Sequence, residues 1–327
     1  MLGFVNSLKG KISGFYQSFR HSKANRLIAL PMMFGRFFLI FGISLVILFP
    51  IINIVSMAIK SREDMFDPSV FWIPRNFSWE TVFSNFRFVM SFSNYWSYLA
   101  STFIFVAVVT ACHISSSCVI GYGFAKFKFR GNSIIFSLVL LVMLVPPLTT
   151  IIPQYLIFSN FNPFGIIGLF NNGKGISLIT GFLPIALLGI TGFGLKNSLF
   201  IYIFRQFFTN CPKELDEAAY VDGCGIFRTF FYIGIPLAKS AAMTVGIFSV
   251  VWEWTDTFYT FFYGKNMKHL ISELSSLAYK LMMKNADGTH MIFTNAGILL
   301  AILPVLILYV VLQKFFTQSI ERSGLVG

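Results

Sequence analysis

The chain has 327 residues, of which 56% are hydrophobic and only 12% charged, with a formal net charge of +12. An ordinary globular domain carries about 25% charged residues, and one core cannot absorb this much apolar surface, so the solvent is largely lipid. The basic excess is not a nucleic-acid surface, because Lys and Arg are spread along the chain at the ends of apolar runs, where they set membrane orientation. Cys112, Cys118, Cys211 and Cys224 fit no disulfide framework or zinc spacing. The four scattered histidines form no metal motif, and no cofactor is expected. His113, alone inside an apolar run, reads as a hydrogen-bonded packing residue.

Apolar runs of roughly 20 residues mark membrane helices. In chain order they cover about Phe37 to Ile59, Tyr98 to Phe124, Ile134 to Phe158, Leu178 to Phe207 (with interruptions), Ala241 to Phe262, and Gly297 to Phe316. The expectation is an all-α membrane protein with six transmembrane helices. Residues 1–36 carry Lys9, Lys11, Arg20, Lys23, Arg26 and Arg36, and no acid precedes Glu63. The connection after the second run carries Lys126, Lys128 and Arg130, again without acids. Both connections are therefore expected in the cytoplasm, and the alternation places both termini there. The segment Lys60 to Arg87 balances its bases with Glu63, Asp64, Asp67 and Glu80 and is expected outside. The N-terminus is no cleavable signal, since its first apolar run is full helix length. The stretch Leu2 to Arg26 reads equally as a segment on the anionic leaflet or as a disordered tail.

Two runs are irregular. Pro146, Pro147 and Pro153 interrupt the third, and Gly181, Pro184, Gly189, Gly192 and Gly194 the fourth, which also contains Lys196 and Asn197. Irregular backbone at membrane depth lines a cavity or packs against protein, which favours a transport pathway over an anchor. The stretch Gly168 to Lys174 approaches a phosphate-binding loop, but Gly175 stands where Ser or Thr is required and no strand precedes it. With no nucleotide motif elsewhere, the chain is not expected to be an enzyme, and any ATP hydrolysis belongs to partners.

Between the fourth and fifth runs lies a polar segment, Pro212 to Gly223, holding Glu214, Asp216, Glu217 and Asp222, four of the chain's thirteen acids. Pro212 and the following acids suit a helix start. Ala218 and Ala219 favour helix and allow close approach. Asp222-Gly223 is a turn signal. Phe227, Phe230, Phe231 and Gly234 resume at helical spacing until Pro236 marks a bend. The segment reads as helix-turn-helix.

Glu217-Ala218-Ala219-x-x-Asp222-Gly223, followed by Phe230, Ile233 and Pro236-Leu237, resembles the EAA loop of binding-protein-dependent ABC importer permeases. More narrowly the chain is similar to sugar-importer permeases of the maltose-system MalG type, with further likeness at Gly121 to Phe127, Pro146 to Tyr155 and Trp254-Thr255-Asp256. Cys224 departs from the usual alanine, and the fourth run is longer between Pro184 and Arg205 than in many relatives. The resemblance implies a type I ABC importer permease fold, with a permease domain over 37–327 and a cytoplasmic coupling loop at about 204–237. It also implies a second permease subunit, a cytosolic ABC ATPase dimer, an extracytoplasmic substrate-binding protein and a sugar substrate. Glu214, Glu217, Ala218, Ala219, Asp222 and Gly223 become the ATPase-coupling candidates, with Glu217 as charged contact and Gly223 as the turn that orients the helix.

Trp252, Glu253, Trp254, Asp256 and Tyr259 are the substrate-path candidates, since sugars are held by aromatic faces with a few polar partners and acids at membrane depth are functional by default. Glu253 and Asp256, three apart, are expected on one helix face. The competing reading of the aromatics is an interfacial belt. The rivals for the whole chain are an ion-coupled secondary transporter and an integral membrane enzyme.

Overall fold

The computed structural model describes residues 24–179, 181–194, 196–264, 267–284 and 288–324, with side chains from 32 to 311 and at 313. The basic stretch Leu2 to Arg26 lies almost wholly outside the described residues.

The chain is helical, with one isolated bridge, Phe161 to Ile176, among the described residues. Helix α1 (Ala24–Ile59) is the first span, and its side chains stay exposed from Met32 nearly to Val55, as expected of a surface solvated by lipid. A connection with two short helices, α2 (Arg62–Phe66) and α3 (Trp79–Phe92), leads to the second span. There Ser61 caps α2, Lys60 Nζ donates to the Val70 carbonyl at 2.8 Å, and Asn85 Nδ2 donates to the carbonyls of Ala58 and Lys60. The Asp67 carboxyl is held below its usual range by hydrogen bonds from the Ser69 hydroxyl and N–H, and by Arg75.

Helix α4 (Tyr95–Lys126) is the second span and the central post. The third expected span is divided into α5 (Asn132–Val142) and α6 (Pro147–Ser159), bent by 97°. The cause is local. Met143, Leu144 and Val145 tighten into three-residue hydrogen-bonded turns, and Pro146-Pro147 then supply no donors and force an extended residue ahead of the new helix. A knuckle with the short α7 (Ile166–Phe170) follows.

The fourth expected span is two helices, α8 (Leu183–Thr191) and α9 (Asn197–Asn210). Gly192, at φ +77°, ends the first, and the Gly194 N–H returns to the Leu188 carbonyl at 3.0 Å. Beyond α9 come α10 (Lys213–Val221), α11 (Ile226–Thr229), a π turn over Phe230–Gly234, and α12 (Ile235–Leu237). Helix α13 (Lys239–Thr255) makes a 68° bend with the preceding Ile226–Leu237 stretch, and α14 (Phe258–Tyr263) continues it after a break. Helices α15 (Leu270–Ser275) and α16 (Leu277–Lys284) lead to α17 (His290–Gly324), the last span.

Among the described residues three helices are long and apolar enough to cross a membrane, α1, α4 and α17, or up to five if each bent pair is one span. The protein is a multi-pass helical membrane protein. The expected fifth run, Ala241 to Phe262, is divided between α13 and α14, and Glu253 and Asp256 do not share a helix face. The helix ends at Thr255, and Asp256 is extended at φ −68°, ψ 118°.

Two buried clusters organise the bundle. The larger packs α4 against α8, α15, α16 and α17 around residues such as Phe105, Val109, Leu270 and Leu277. The smaller packs α4, α9 and α13 around Tyr122, Phe200, Phe204, Phe208 and Val245. Helices α4 and α9 meet so closely at Gly121 that an added Cβ would lie 2.6 Å from Phe204 Cβ and 2.9 Å from the Arg205 nitrogen.

Candidate functional site

Two places in this frame carry chemistry, one at the α10 end of the bundle and one inside it. The helix-turn-helix expected of the acidic segment is present. Pro212, extended at ψ 132°, precedes α10, and Glu214 and Asp216 occupy its first turn, where acids complement the helix dipole. The helix closes with a Schellman motif: the Cys224 N–H bonds the Ala219 carbonyl at 2.9 Å and the Gly223 N–H the Tyr220 carbonyl at 3.0 Å. Gly223 sits at φ +79° with open space around it, so backbone geometry rather than crowding selects glycine.

The six coupling candidates do not share one environment. Glu214, Glu217, Ala218, Asp222 and Gly223 are exposed, whereas Ala219 is buried against the bundle. Asp216 turns back and pairs with Lys126 of α4 at 2.6 Å. Around the exposed acids stand Leu215, Tyr220, Val221 and Phe227, the last two more than three-quarters exposed. A mixed acidic and apolar face of this kind, on a helix otherwise fixed to its own protein, is the form of a docking surface. Behind it, the Tyr122 ring of α4 meets Phe208 edge-on at 5.0 Å and Phe230 at a tilt at 4.8 Å between ring centroids. Cys211 at the entry to the segment is free, and burial pushes its thiol above the usual range.

The second place lies near the middle of α4. His113 is 13 residues from Lys126 and 18 from Tyr95, about 20 and 27 Å along the axis. Its Nδ1 is 3.0 Å from Asn197 Oδ1. Asn197 Nδ2 faces the Gly189 carbonyl at 3.0 Å, with Ser116 and Ser117 hydroxyls at 3.1 and 3.3 Å. A carbonyl only accepts, so that amide edge is the NH2, Oδ1 is the acceptor, and the proton sits on His113 Nδ1. His113 Nε2 then faces Glu253 Oε1 at 3.5 Å, close but without hydrogen-bond geometry. The same Oε1 receives Lys196 Nζ at 2.7 Å. Helix α8 reaches this cluster because Gly189 leaves its surface bare where it passes Cys112 and His113. A small cavity of about 30 Å³ opens beside the cluster, lined by His113, Gln154, Lys196, Glu253 and Tyr259 among others.

The structure separates the substrate-path candidates. Glu253 and Tyr259 face the cavity. Trp252 stacks on Phe200 and Phe248. Trp254 donates from Nε1 to the Ala301 carbonyl at 3.1 Å and meets Phe103 edge-on. Asp256 accepts the Thr260 N–H at 3.0 Å and steadies the start of α14. His113 has the hydrogen-bonded place expected of it. Sequence reasoning missed Gln154 and Lys196 as neighbours of Glu253, and Asn197 as the partner of His113. The available signal was a lysine and an asparagine inside an interrupted apolar run, which need a partner at that depth.

A broken-helix bundle with an exposed acidic helix between its later spans has the form of a membrane transport subunit. The chain belongs to the family of binding-protein-dependent transport system inner membrane components, whose sequence profile matches residues 117–322. That family supplies the membrane permease of ABC importers and is not enzymatic; a substrate-binding protein and an ATPase are separate partners. The arabinooligosaccharides transport system permease protein AraQ of Bacillus subtilis is 27% identical over 87% of this chain and 92% of its own length. The melibiose/raffinose/stachyose import permease protein MelC of the same organism is 26% identical over 72% of this chain and 80% of its own. A crystal structure of a bacterial ABC transporter involved in the import of the acidic polysaccharide alginate contains a chain that superposes with a TM-score of 0.67 at 20% identity, covering 90% of this chain and 99% of that one. The fold is therefore that of an ABC importer permease.

Proposed function

We propose that this chain is one of two permease subunits of an ATP-driven importer for a sugar or oligosaccharide, and that α10 is its coupling helix. In this reading the chain has six spans with α8 and α9 together forming the fourth, and both termini are cytoplasmic. Residues 1–36 form a basic cytoplasmic segment and residues 37–327 the permease domain, with the coupling loop at about 204–237. Glu214, Glu217, Ala218, Ala219, Asp222 and Gly223 couple to the ATPase. Trp252, Glu253, Trp254, Asp256 and Tyr259 belong to the substrate path, with Trp252 and Trp254 shaping its wall from behind.

The observation that carries the proposal is the exposed acidic and apolar face of α10, held to α4 by the Asp216–Lys126 pair. Relatives named for melibiose, raffinose, stachyose and arabinooligosaccharides favour the cargo class. ATP-driven closure of the partner dimer shifts the permease pair between its two facings only by differential contact with each state, and α10 supplies such a contact. The test is co-purification with the ATPase. Glu217→Lys and Gly223→Pro are expected to lose the complex or its binding-protein-stimulated hydrolysis; full retention of both in both variants removes the coupling role. Titrating the cognate binding protein with a panel of oligosaccharides checks the cargo class.

A further inference from the structure

We infer that the cavity beside Glu253 is a subsite for a hydroxyl of a neutral, hydroxyl-rich cargo, with Glu253 Oε2 as the acceptor. This rests on the reading of the chain as a sugar-importer subunit and extends it to His113, Gln154 and Lys196. Glu253 is 1% exposed, and its Oε2 has no hydrogen-bond partner among the described residues, although Oε1 is held by Lys196. A buried carboxylate oxygen without a donor is costly, so the place is built to receive one. A lone packing strut would need no opening there, yet Glu253 lines the cavity together with Lys196 and His113.

The surroundings select the class of donor. A cation is disfavoured because Lys196 already sits 2.7 Å from the carboxylate and His113 stands on the same side. An anion is disfavoured by the carboxylate itself, whose charge leaves Lys196 little to offer. A neutral O–H satisfies Oε2 without adding charge. Tyr259 supplies an aromatic wall, with Lys196 Nζ 5.8 Å from its ring centroid. Gln154 supplies an amide from α6, its Oε1 fixed by the Tyr263 hydroxyl at 3.0 Å. Aromatic, amide and carboxylate around a small opening is carbohydrate-recognition chemistry. At about 30 Å³ the cavity has room for one water-sized group, a single hydroxyl and not a sugar ring.

Three of the lining residues stand at helix breaks or ends. Lys196 is at the α8–α9 break, and Glu253 lies just before the break between α13 and α14, which Tyr259 follows. A change in either break alters the opening, so the subsite is placed to respond to the conformational cycle.

The experiment uses the whole importer reconstituted with its binding protein, and radiolabelled maltotriose, raffinose and arabinotriose as probes. The quantity read is sugar moved per ATP hydrolysed, for wild type, Glu253→Gln and the double variant Lys196→Met with Glu253→Met. The subsite predicts that this ratio falls about tenfold in both variants, and that the double variant melts within a few degrees of wild type, since a buried ion pair is replaceable by apolar groups. If Glu253 is only a strut, transport and hydrolysis fall together and both variants keep the wild-type ratio, which overturns the subsite alone. Wild type that moves none of the three sugars overturns the sugar-importer reading, and the subsite with it.

Discussion

The α10 face and the Glu253 cluster use the same chemical group in opposite settings. Glu217 is exposed on a short helix ringed by bare apolar side chains, and nothing in the described residues claims its charge. Glu253 is enclosed, with a lysine on one oxygen and a histidine beside it. The first carboxylate is left open to solvent, the second is held by its own bundle beside a cavity. Asp216 shows that position in the acidic segment does not decide this, because it belongs to Lys126 and not to the outer face. What an acid does here follows from which side of α10 or α13 it stands on.

The comparison is broken most severely at Glu253. Glu253→Ala removes the carboxylate that Lys196 contacts and leaves it only the charge of Asp256 nearby, and loss of one partner of a buried pair costs on the order of 3 kcal/mol. A large drop in the melting temperature of the purified importer is expected, with recovery in the Lys196→Met, Glu253→Met double variant. Gly121→Val comes next. Its side chain has no room between α4 and α9, and overpacking of this kind costs about 2 kcal/mol; thermal unfolding of the single variant checks it. Gly223→Ala is smaller, about 1 kcal/mol from forcing an alanine to positive φ. Its signature is weakened ATPase co-purification with little change in melting temperature. The smallest effect belongs to Lys126→Ala. The pair with Asp216 is mostly buried on both sides but reaches solvent, and loss of up to about 1 kcal/mol is expected. Faster amide exchange confined to α10 is the measurement, and unchanged exchange there shows that the pair does not hold the helix.

Much of this arrangement was legible in the sequence. Asp222-Gly223 is a turn signal because glycine readily takes the positive φ that a Schellman ending needs, and the helix before it and the bend at Pro236 followed from local rules. The long apolar runs gave α1, α4 and α17 for the same reason. The expected third and fourth spans were legible as irregular through their prolines and glycines, but the 97° bend between α5 and α6 was not, since a proline pair shows that a helix stops and not where the next one points. Glu253 and Asp256 were placed on one face because helical spacing was extended one residue too far; Asp256 instead bonds the start of α14. The neighbours of Glu253 come from α4, α6 and the α8–α9 break, and long-range side-chain meetings such as Asn197 with His113 leave no periodic trace in one sequence.

The bare surface of Gly121 has a mechanical consequence. With backbones nearly touching there, and with Tyr122, Phe204 and Phe208 filling the adjacent seam, α4 and α9 have no freedom to slide past one another. Helix α9 is 14 residues, about 20 Å of unbroken rod, and its far end carries Asn197 next to Lys196. One unbroken helix thus joins the α10 end of the bundle to the residues beside the Glu253 cavity, and the nearest break in it is the glycine joint at Gly192–Gly194.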